Sequence, residues 1–311
     1  MKFRFDRIRG FFTEPLHPPA AFLVSRARVG GLVRAGRDGR IAGQAAVPLA
    51  PGTLDPSFDK RNVANPAALE RAVRDAAARL GRRSGPVGLM IPEACLKVFV
   101  LPFEELPSSP REREDVLRWR LAKLAPLPAA ETRMSYAVLE TAGQARVVLA
   151  LARVDVVREY EDAFGRAGLA VRDVGIPALN LLGFARPDAS GHALVVNLED
   201  DHLSLTALLD GRAALYRFKP FLQDPLRPMT LAEKIDQAAA EVEATVRFVE
   251  DREKKMITAA WVRADVAEPE AAVAGLQARL PGLAVREPAF PAAVRPPDRH
   301  FLAPLVGQGE R

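Results

Sequence analysis

The chain has 311 residues, 49% of them hydrophobic, which allows one large core or two medium ones and excludes a disordered body. Its formal charge of +5 comes from 44 basic and 39 acidic residues that are mostly interleaved, and aromatic content is only 6%, a pattern that argues against a nucleic-acid-binding face. One cysteine, Cys95, excludes an intramolecular disulfide framework, and no apolar run reaches the length of a membrane-spanning helix.

Residues 1–19 read as a basic flexible tail. Lys2, Arg4, Arg7 and Arg9 alternate with Phe3, Phe5 and Ile8, with no continuous apolar segment of the kind a signal peptide needs. Strands are then predicted over 20–25, 29–35 and 41–49, forming an antiparallel meander with Gly36-Arg37-Asp38-Gly39 as one turn. Gly30 and Gly31, inside the second strand, are read as easing a bend. Asn65-Pro66 opens a helix with Leu69, Val73, Ala77 and Leu80 on one face, ended by Gly81. A strand over 87–91, parallel to the meander, follows, then a strand over 96–101, a helix over 110–123, strands over 136–140 and 146–152, and a helix over 154–168. A strand over 169–174 and a helix over 177–184 complete the first half.

Residues 186–191 read as a linker. Beyond it, strands over 193–198, 203–209 and 213–218 form a second meander with Asp210-Gly211 as a hairpin turn. A long amphipathic helix over 230–253 is followed by a strand over 256–262, a helix over 269–280, a strand over 283–286 and one short helical turn over 301–306. Both halves share a plan of three meandering strands, a helix and a further strand. That layout predicts an α/β protein with mixed sheets and a cleft between two lobes.

Several stretches now carry a resemblance. The strand over 87–92 ends in Pro92, and the strand–helix stretch 96–102 and 114–123 includes Trp119. Tyr136-Ala137-Val138-Leu139 follows, and Asp173-Val174-Gly175-Ile176-Pro177-Ala178 crosses into the next helix. In order and spacing these segments resemble the PilM-like proteins of type IV pilus assembly and, more distantly, the cytoplasmic part of the type II secretion platform protein. The resemblance implies an actin-like (ribonuclease H-like) two-lobed fold with mixed five-stranded sheets. On that frame, 20–186 would be the first lobe, with a small inserted subdomain at about 93–168, and 187–311 the second. It further implies a cytoplasmic protein at the inner face of the inner membrane, peripheral to it through its partner. The partner would be the N-terminal tail of a PilN-like inner-membrane protein, docked in a groove of the first lobe, with pilus motor ATPases as further partners.

Members of the resembled superfamily hold ATP in the inter-lobe cleft with two hairpins, each supplying an acidic residue toward magnesium and glycine amides toward phosphate. The first Asp-x-Gly aligns with Ser25-Arg26-Ala27 and the second with Asn197-Leu198-Glu199, so both lack aspartate and glycine. The adenine-facing glycine pair is replaced by Trp261-Val262-Arg263. Glu199, Asp200 and Asp201 are three carboxylates without glycine amides, a set that repels a triphosphate unless metal intervenes. The expectation is a pseudo-ATPase with no cofactor and no catalytic residue. If magnesium bound at all, Glu199 and Asp201 would hold it.

Histidines at 17, 192, 202 and 300 are too few and scattered to make a metal cluster, and Cys95 reads as a small core residue. Ser84-Gly85 and Ser190-Gly191 are turns, and no P-loop is present. Partner binding is therefore expected on the inserted subdomain, at Leu96, Val98, Phe99, Leu101, Phe103, Trp119 and Tyr136. Each of these has core packing as its alternative. The favoured function is a non-catalytic assembly scaffold. The competing one is an ATP-binding actin-like protein or ATPase of a type II secretion or pilus machine. A sugar-kinase-like enzyme would also need an acidic base, which is not found where it should stand.

Overall fold

A computed structural model describes residues 18–308 except 36–38, 126, 142–143, 186–190, 222–223 and 225–226. The expected basic tail up to residue 17, most of the first meander turn and nearly all of the 186–191 linker lie outside the described residues. Three sheets organise the rest, two of five strands and one of three.

The first sheet has the order β3-β2-β1-β4-β8, built from β1 (Ala20–Val24), β2 (Arg28–Ala35), β3 (Arg40–Pro48), β4 (Gly85–Met90) and β8 (Leu169–Gly175). β1 runs antiparallel to β2 and parallel to β4, and β4 runs parallel to β8, the mixed arrangement expected from meander plus crossovers. All five residues of β1 are buried, as befits a central strand covered on both faces. One face carries α1 (Pro66–Arg79), which starts with Pro66 in its first turn and Asn65 Oδ1 accepting from the Ala68 amide at 3.0 Å. Beside it lies α3 (Val154–Arg166), with Val157, Tyr160 and Phe164 facing inward.

The small sheet has the order β5-β7-β6 and is antiparallel throughout: β5 (Leu96–Phe103), β6 (Thr132–Thr141) and β7 (Gln144–Arg153). Helix α2 (Pro110–Leu124) covers one face by burying Leu117 and Leu121 on Val147, Leu149 and Leu151. The second large sheet, β11-β10-β9-β12-β13, repeats the first: β9 (Ala193–Glu199), β10 (His202–Leu209), β11 (Arg212–Pro220), β12 (Ala259–Asp265) and β13 (Ala284–Arg286). Asp210 and Gly211 both have positive φ, 51° and 72°, which is what a tight hairpin with the native strand twist demands. Helices α5 (Leu231–Glu253) and α6 (Pro269–Arg279) cover its outer face. α5 opens with a full capping box between Thr230 and Glu233.

Between the two large sheets lies a shared layer. Ala21, Leu23, Leu32 and Met90 of the first sheet and Val195, Leu208 and Ala213 of the second meet there. The layer is filled by a helical pair, α4 (Pro177–Asn180) with its continuation through Phe184, and α7 (Arg299–Gly307). α7 is longer than the single turn predicted, and it is buried from His300 to Gly307. It carries no polar face, so no amphipathic period announced it; a helix apolar all round belongs in an interior. Its close seating explains Gly30, while Leu80 and Phe22 crowd Gly31; the pair sits opposite Ala46 and Ala45, and the register shift in β2 falls later, at Val33/Arg34. A Cβ at Gly30 would fall 2.6 Å from the Phe301 ring, and one at Gly31 would fall 2.5 Å from Leu80.

The strand predicted over 256–262 is displaced. Met256 is 70% exposed, and pairing begins only at Ala259 and runs to Asp265. Lys254, in the left-handed conformation at the end of α5, turns the chain toward that later start. The displacement brings Arg263 and Asp265 inside a buried strand.

Candidate functional site

The C-terminal ends of β1, β9 and β12, parallel strands or their neighbours across the two sheets, open on a cavity of about 450 Å³ lined in part by Ser25, Arg26, Arg28, Glu199, Asp201 and Asp265. Carboxyl ends of strands are where open α/β sheets place their ligands. The first of the two aligned hairpins is closed on itself. Ser25 Oγ accepts from the amides of Arg28 at 3.1 Å and Ala27 at 3.4 Å, so amides that an anion would need are already used by the turn. Arg26 reaches across to Asp201 at 3.1 Å, and Arg28 pairs with Asp265 and, at 3.6 Å, with Asp298.

Arg263 dominates the interior of this junction. It is 1% exposed, yet each of its guanidinium nitrogens is engaged. Nη1 donates to Asn197 Oδ1 at 2.6 Å and to Glu199 Oε1 at 2.5 Å. Nε donates to the His300 carbonyl at 2.6 Å, and Nη2 lies 3.3 Å from Asp265 Oδ2 and 3.4 Å from the Phe301 carbonyl. Burial works against the charge, but Glu199 and Asp265 outweigh it and hold Arg263 above its ordinary value. Burial likewise opposes the Glu199 carboxylate, while Arg263 and His202 keep it below the usual range. Where the aligned glycines would leave room for a base, this chain has a cation gripped by its own carboxylates.

A second buried group adjoins it. Glu93 stands in the short 3-10 turn Glu93–Cys95 that follows β4 and is 2% exposed. Its Oε1 accepts from Asn197 Nδ2 at 2.7 Å and its Oε2 from the Tyr216 hydroxyl at 3.0 Å. His202 Nε2 lies 3.8 Å from the same Oε2, and Nδ1 lies 2.7 Å from Asp201 Oδ1. Burial pushes Glu93 up; at His202 burial favours the neutral ring, but Asp201, Glu199 and Glu93 together raise it to about 9. Glu93 belongs to the first half of the chain and its partners to the second, so this contact ties the two large sheets.

The aligned degenerate positions therefore lie together: Ser25 and Ala27 on one wall, Glu199 on the other, and Asn197 just beneath, 1% exposed between Glu93 and Arg263. Asp201, read with Glu199 as the magnesium pair, is drawn instead to Arg26 and His202. His192 and His202 sit at opposite ends of the β9–β10 hairpin, His192 accepting from the Asp210 amide at 3.2 Å. Cys95 is buried beside Asn62 and Tyr160 with its thiol pushed up to about 12 by burial, which makes it inert.

The seven expected partner-binding residues divide among three environments. Phe99, Phe103 and Tyr136 face α2 and pack on its apolar cluster, and Leu101 is buried. Leu96 and Val98 lie on the opposite sheet face, Leu96 packing against the first-sheet core. Trp119 is 61% exposed, with the Lys123 ammonium 3.8 Å over its ring, on the side of α2 away from Leu117 and Leu121. The face that Val98 shares with Ala150, Val148 and Ala137 borders a separate groove of about 450 Å³. Leu139, Leu179, Leu182, Leu208 and Ala213 complete a mostly apolar lining. Leu179, Leu182 and Ala185 of this lining escaped the sequence reading because, with the buried Leu181 and Phe184 beside them, the stretch looks like any core helix.

No protein-family model matches the chain, and a search of curated proteins finds no match. Among solved structures, it is similar to a PilM-PilN type IV pilus biogenesis complex, with a TM-score of 0.72 and 16% identity over 95% of this chain and 97% of that one. It is also similar to a protein of Bacteroides thetaiotaomicron with an actin-like ATPase fold and unknown function (TM-score 0.53, 9% identity, 86% and 89% covered). A third is the ethanolamine utilization protein EutJ from Carboxydothermus hydrogenoformans (TM-score 0.50, 12% identity, 96% and 91% covered). At these identities the likenesses show the fold, and the fold is actin-like.

Two consequences of the cleft are measurable. Replacing Arg263 with Ala leaves Glu199 without its closest cation, Asp265 with Arg28 alone and Asn197 and two α7 carbonyls without their donor, and is expected to cost about 3–5 kcal/mol in chemical denaturation. A loss under about 1 kcal/mol would mean that the network carries little of the stability. His300, 1% exposed, is held neutral by burial and by the Arg263 and Arg299 cations, which lower it from 6.5 to about 4. Its contribution is therefore complete above pH 6.5 and is lost as pH falls toward 4, because the unfolded chain takes up the proton first. Stability of His300→Gln followed from pH 7 to 4 should fall less steeply than that of the unaltered chain; parallel curves would remove His300 from the account.

Proposed function

We propose that this chain is a non-catalytic scaffold of type IV pilus assembly at the cytoplasmic face of the inner membrane. In this reading it docks the N-terminal tail of a PilN-like inner-membrane protein and links that platform to the pilus motor ATPases. The observation that carries the non-catalytic part is Arg263, which occupies the cleft interior with Glu199, Asn197, Asp265 and the α7 carbonyls as its partners. A polyphosphate entering from the cavity would meet Glu199, Asp200 and Asp201 before any unshared amide of the Ser25 turn, and like charges at such distances repel strongly away from bulk water. Mg-ATP does not fit this donor set, and no chemical step is assigned to it.

The docking part is supported by similarity along nearly the whole chain to a PilM solved with PilN. The groove between the small sheet and residues 179–185 suits a short apolar segment: its walls are mostly Leu, Ala and Val from three separate units. We assign the tail to this groove, whose wall on the inserted subdomain is Ala137, Leu139 and Val148 rather than any of the seven residues named from the sequence. Among the described residues no helix is long and apolar enough to cross a membrane, so membrane association in this proposal comes from the partner.

Calorimetry with ATP, with and without Mg²⁺, is expected to give no saturable binding tighter than about 1 mM; micromolar binding would restore the ATPase reading. Docking is tested with a peptide of the PilN-like protein's N-terminal tail and two variants. Leu182→Asp, in the groove wall, should weaken binding at least about tenfold, and Trp119→Ala, on the far side of α2, should leave it unchanged. The reverse result would move the docking surface to α2, and no binding to the unaltered chain would end the proposal.

A further inference from the structure

We propose that Glu93, Glu199 and His202 form a binding site for one divalent transition-metal ion of the zinc class, placed between the two large sheets. One carboxylate oxygen from each glutamate and a ring nitrogen of His202 all lie within 4.8 Å of one another. Ligand atoms around a single zinc ion stand about 3–3.5 Å apart, given metal–ligand distances near 2.0–2.2 Å, so small side-chain rotations close the set. Oxygen and imidazole donors together suit zinc and its neighbours better than magnesium or calcium, which take oxygen alone.

The second observation is independent of the acidic cluster. His202 is 4% exposed, and its Nε2 has no hydrogen-bond partner although it points at Glu93. The 3.8 Å gap to Glu93 is too long for a hydrogen bond, so this ring nitrogen is held by charge alone. The other ring nitrogen is committed: Nδ1 lies 2.7 Å from Asp201 Oδ1. That carboxylate–histidine contact is the outer-shell arrangement that fixes the ring; a metal at Nε2 would displace to solvent the proton that the surrounding carboxylates otherwise hold there. Glu93 is likewise held by Asn197 and Tyr216, each through one hydrogen bond, and each carboxylate oxygen retains a lone pair. Glu199 and Asp201, which neighbour His202, line the open cavity, so the cluster adjoins solvent on that side.

The ion would be a clasp. Glu93 ends the β4 segment of the first sheet, whereas Glu199 and His202 flank the β9–β10 turn of the second, so coordination joins elements more than a hundred residues apart in sequence. Unlike a nucleotide, it demands neither glycine amides nor a phosphate-sized space. It therefore stands whether or not the scaffold proposal does.

The test uses the full chain, freed of metal by chelator and supplied with no nucleotide. Titration with Zn²⁺ should show one site per chain with a Kd below about 10 μM and a rise in melting temperature. The His202→Gln variant should lose the saturable binding and show no Zn²⁺-dependent rise in its own melting temperature. Binding that persists unchanged in His202→Gln, or the absence of saturable binding of Zn²⁺, Co²⁺ and Mn²⁺ alike, would overturn the proposal in favour of a metal-free His202–Glu93 pair. Where His202→Gln fails to fold, the side-chain ¹⁵N resonances of His202 decide. A large Zn²⁺-dependent shift at Nε2 supports the site, and an unmoved resonance rejects it.

Discussion

A guanidinium shut away from water must find a partner for every N–H it presents, and Arg263 arranges the centre of this protein to meet that demand. Its partners come from β9 (Asn197 and Glu199), from its own strand (Asp265) and from the backbone of α7 (His300 and Phe301). Taking such a charge out of water costs several kcal/mol, and only near-complete hydrogen bonding offsets it. The C-terminal helix is thereby fixed between the sheets by polar contacts at its first turn and apolar ones along the rest. Asp265 in turn holds Arg28 of the first sheet, so the chain of pairs crosses from lobe to lobe.

The same arrangement decides what the cleft accepts. In an actin-like cleft the phosphate turns must present unshared amides and metal-binding carboxylates. Here the Ser25 hydroxyl takes up amides of one turn, and the carboxylates beside the other are engaged by Arg26, Arg263 and His202. Charge balance is reached internally. Refusal of a polyanion and binding of a small cation, as proposed above, would then come from one electrostatic pattern rather than from two unrelated features.

Much of the fold could be read directly because its signals are local. Asp210-Gly211 marks a tight hairpin through backbone sterics alone, and Asn65-Pro66 marks a helix start through one cap and one missing amide. The α7 helix could not be read that way, since a helix buried on every side has no period, nor could the strand end that puts Arg263 inside. A clue was nonetheless present: an arginine within the apolar run 259–264 implies either a misplaced strand or a buried cation with dedicated partners. The cluster of Glu93 and His202 was out of reach for another reason. Counting histidines and cysteine misses a site whose other donors are carboxylates, and only the packing of β4 beside β1 and of β9 beside β12 brings position 93 to position 202. At the partner surface, alternation within β5 was legible, but which face α2 would cover was not, so residues from both faces were grouped as one surface.

Rigidity links the junction to the proposed docking groove. Leu182 and Ala185 line the groove, and their neighbours Leu181 and Phe184 pack in the same layer as Phe301, Leu302 and Leu305 of α7. α7 cannot shift without breaking the carbonyl contacts to Arg263, and at its far end a Cβ on Gly307 would collide with the Asn180 carbonyl, so α7 and α4 touch backbone to backbone. A groove wall held this way loses little conformational freedom when a peptide binds, which favours affinity from modest apolar area. In this chain the cleft is tied by its own side chains, and the surfaces on either side of it keep one fixed relation.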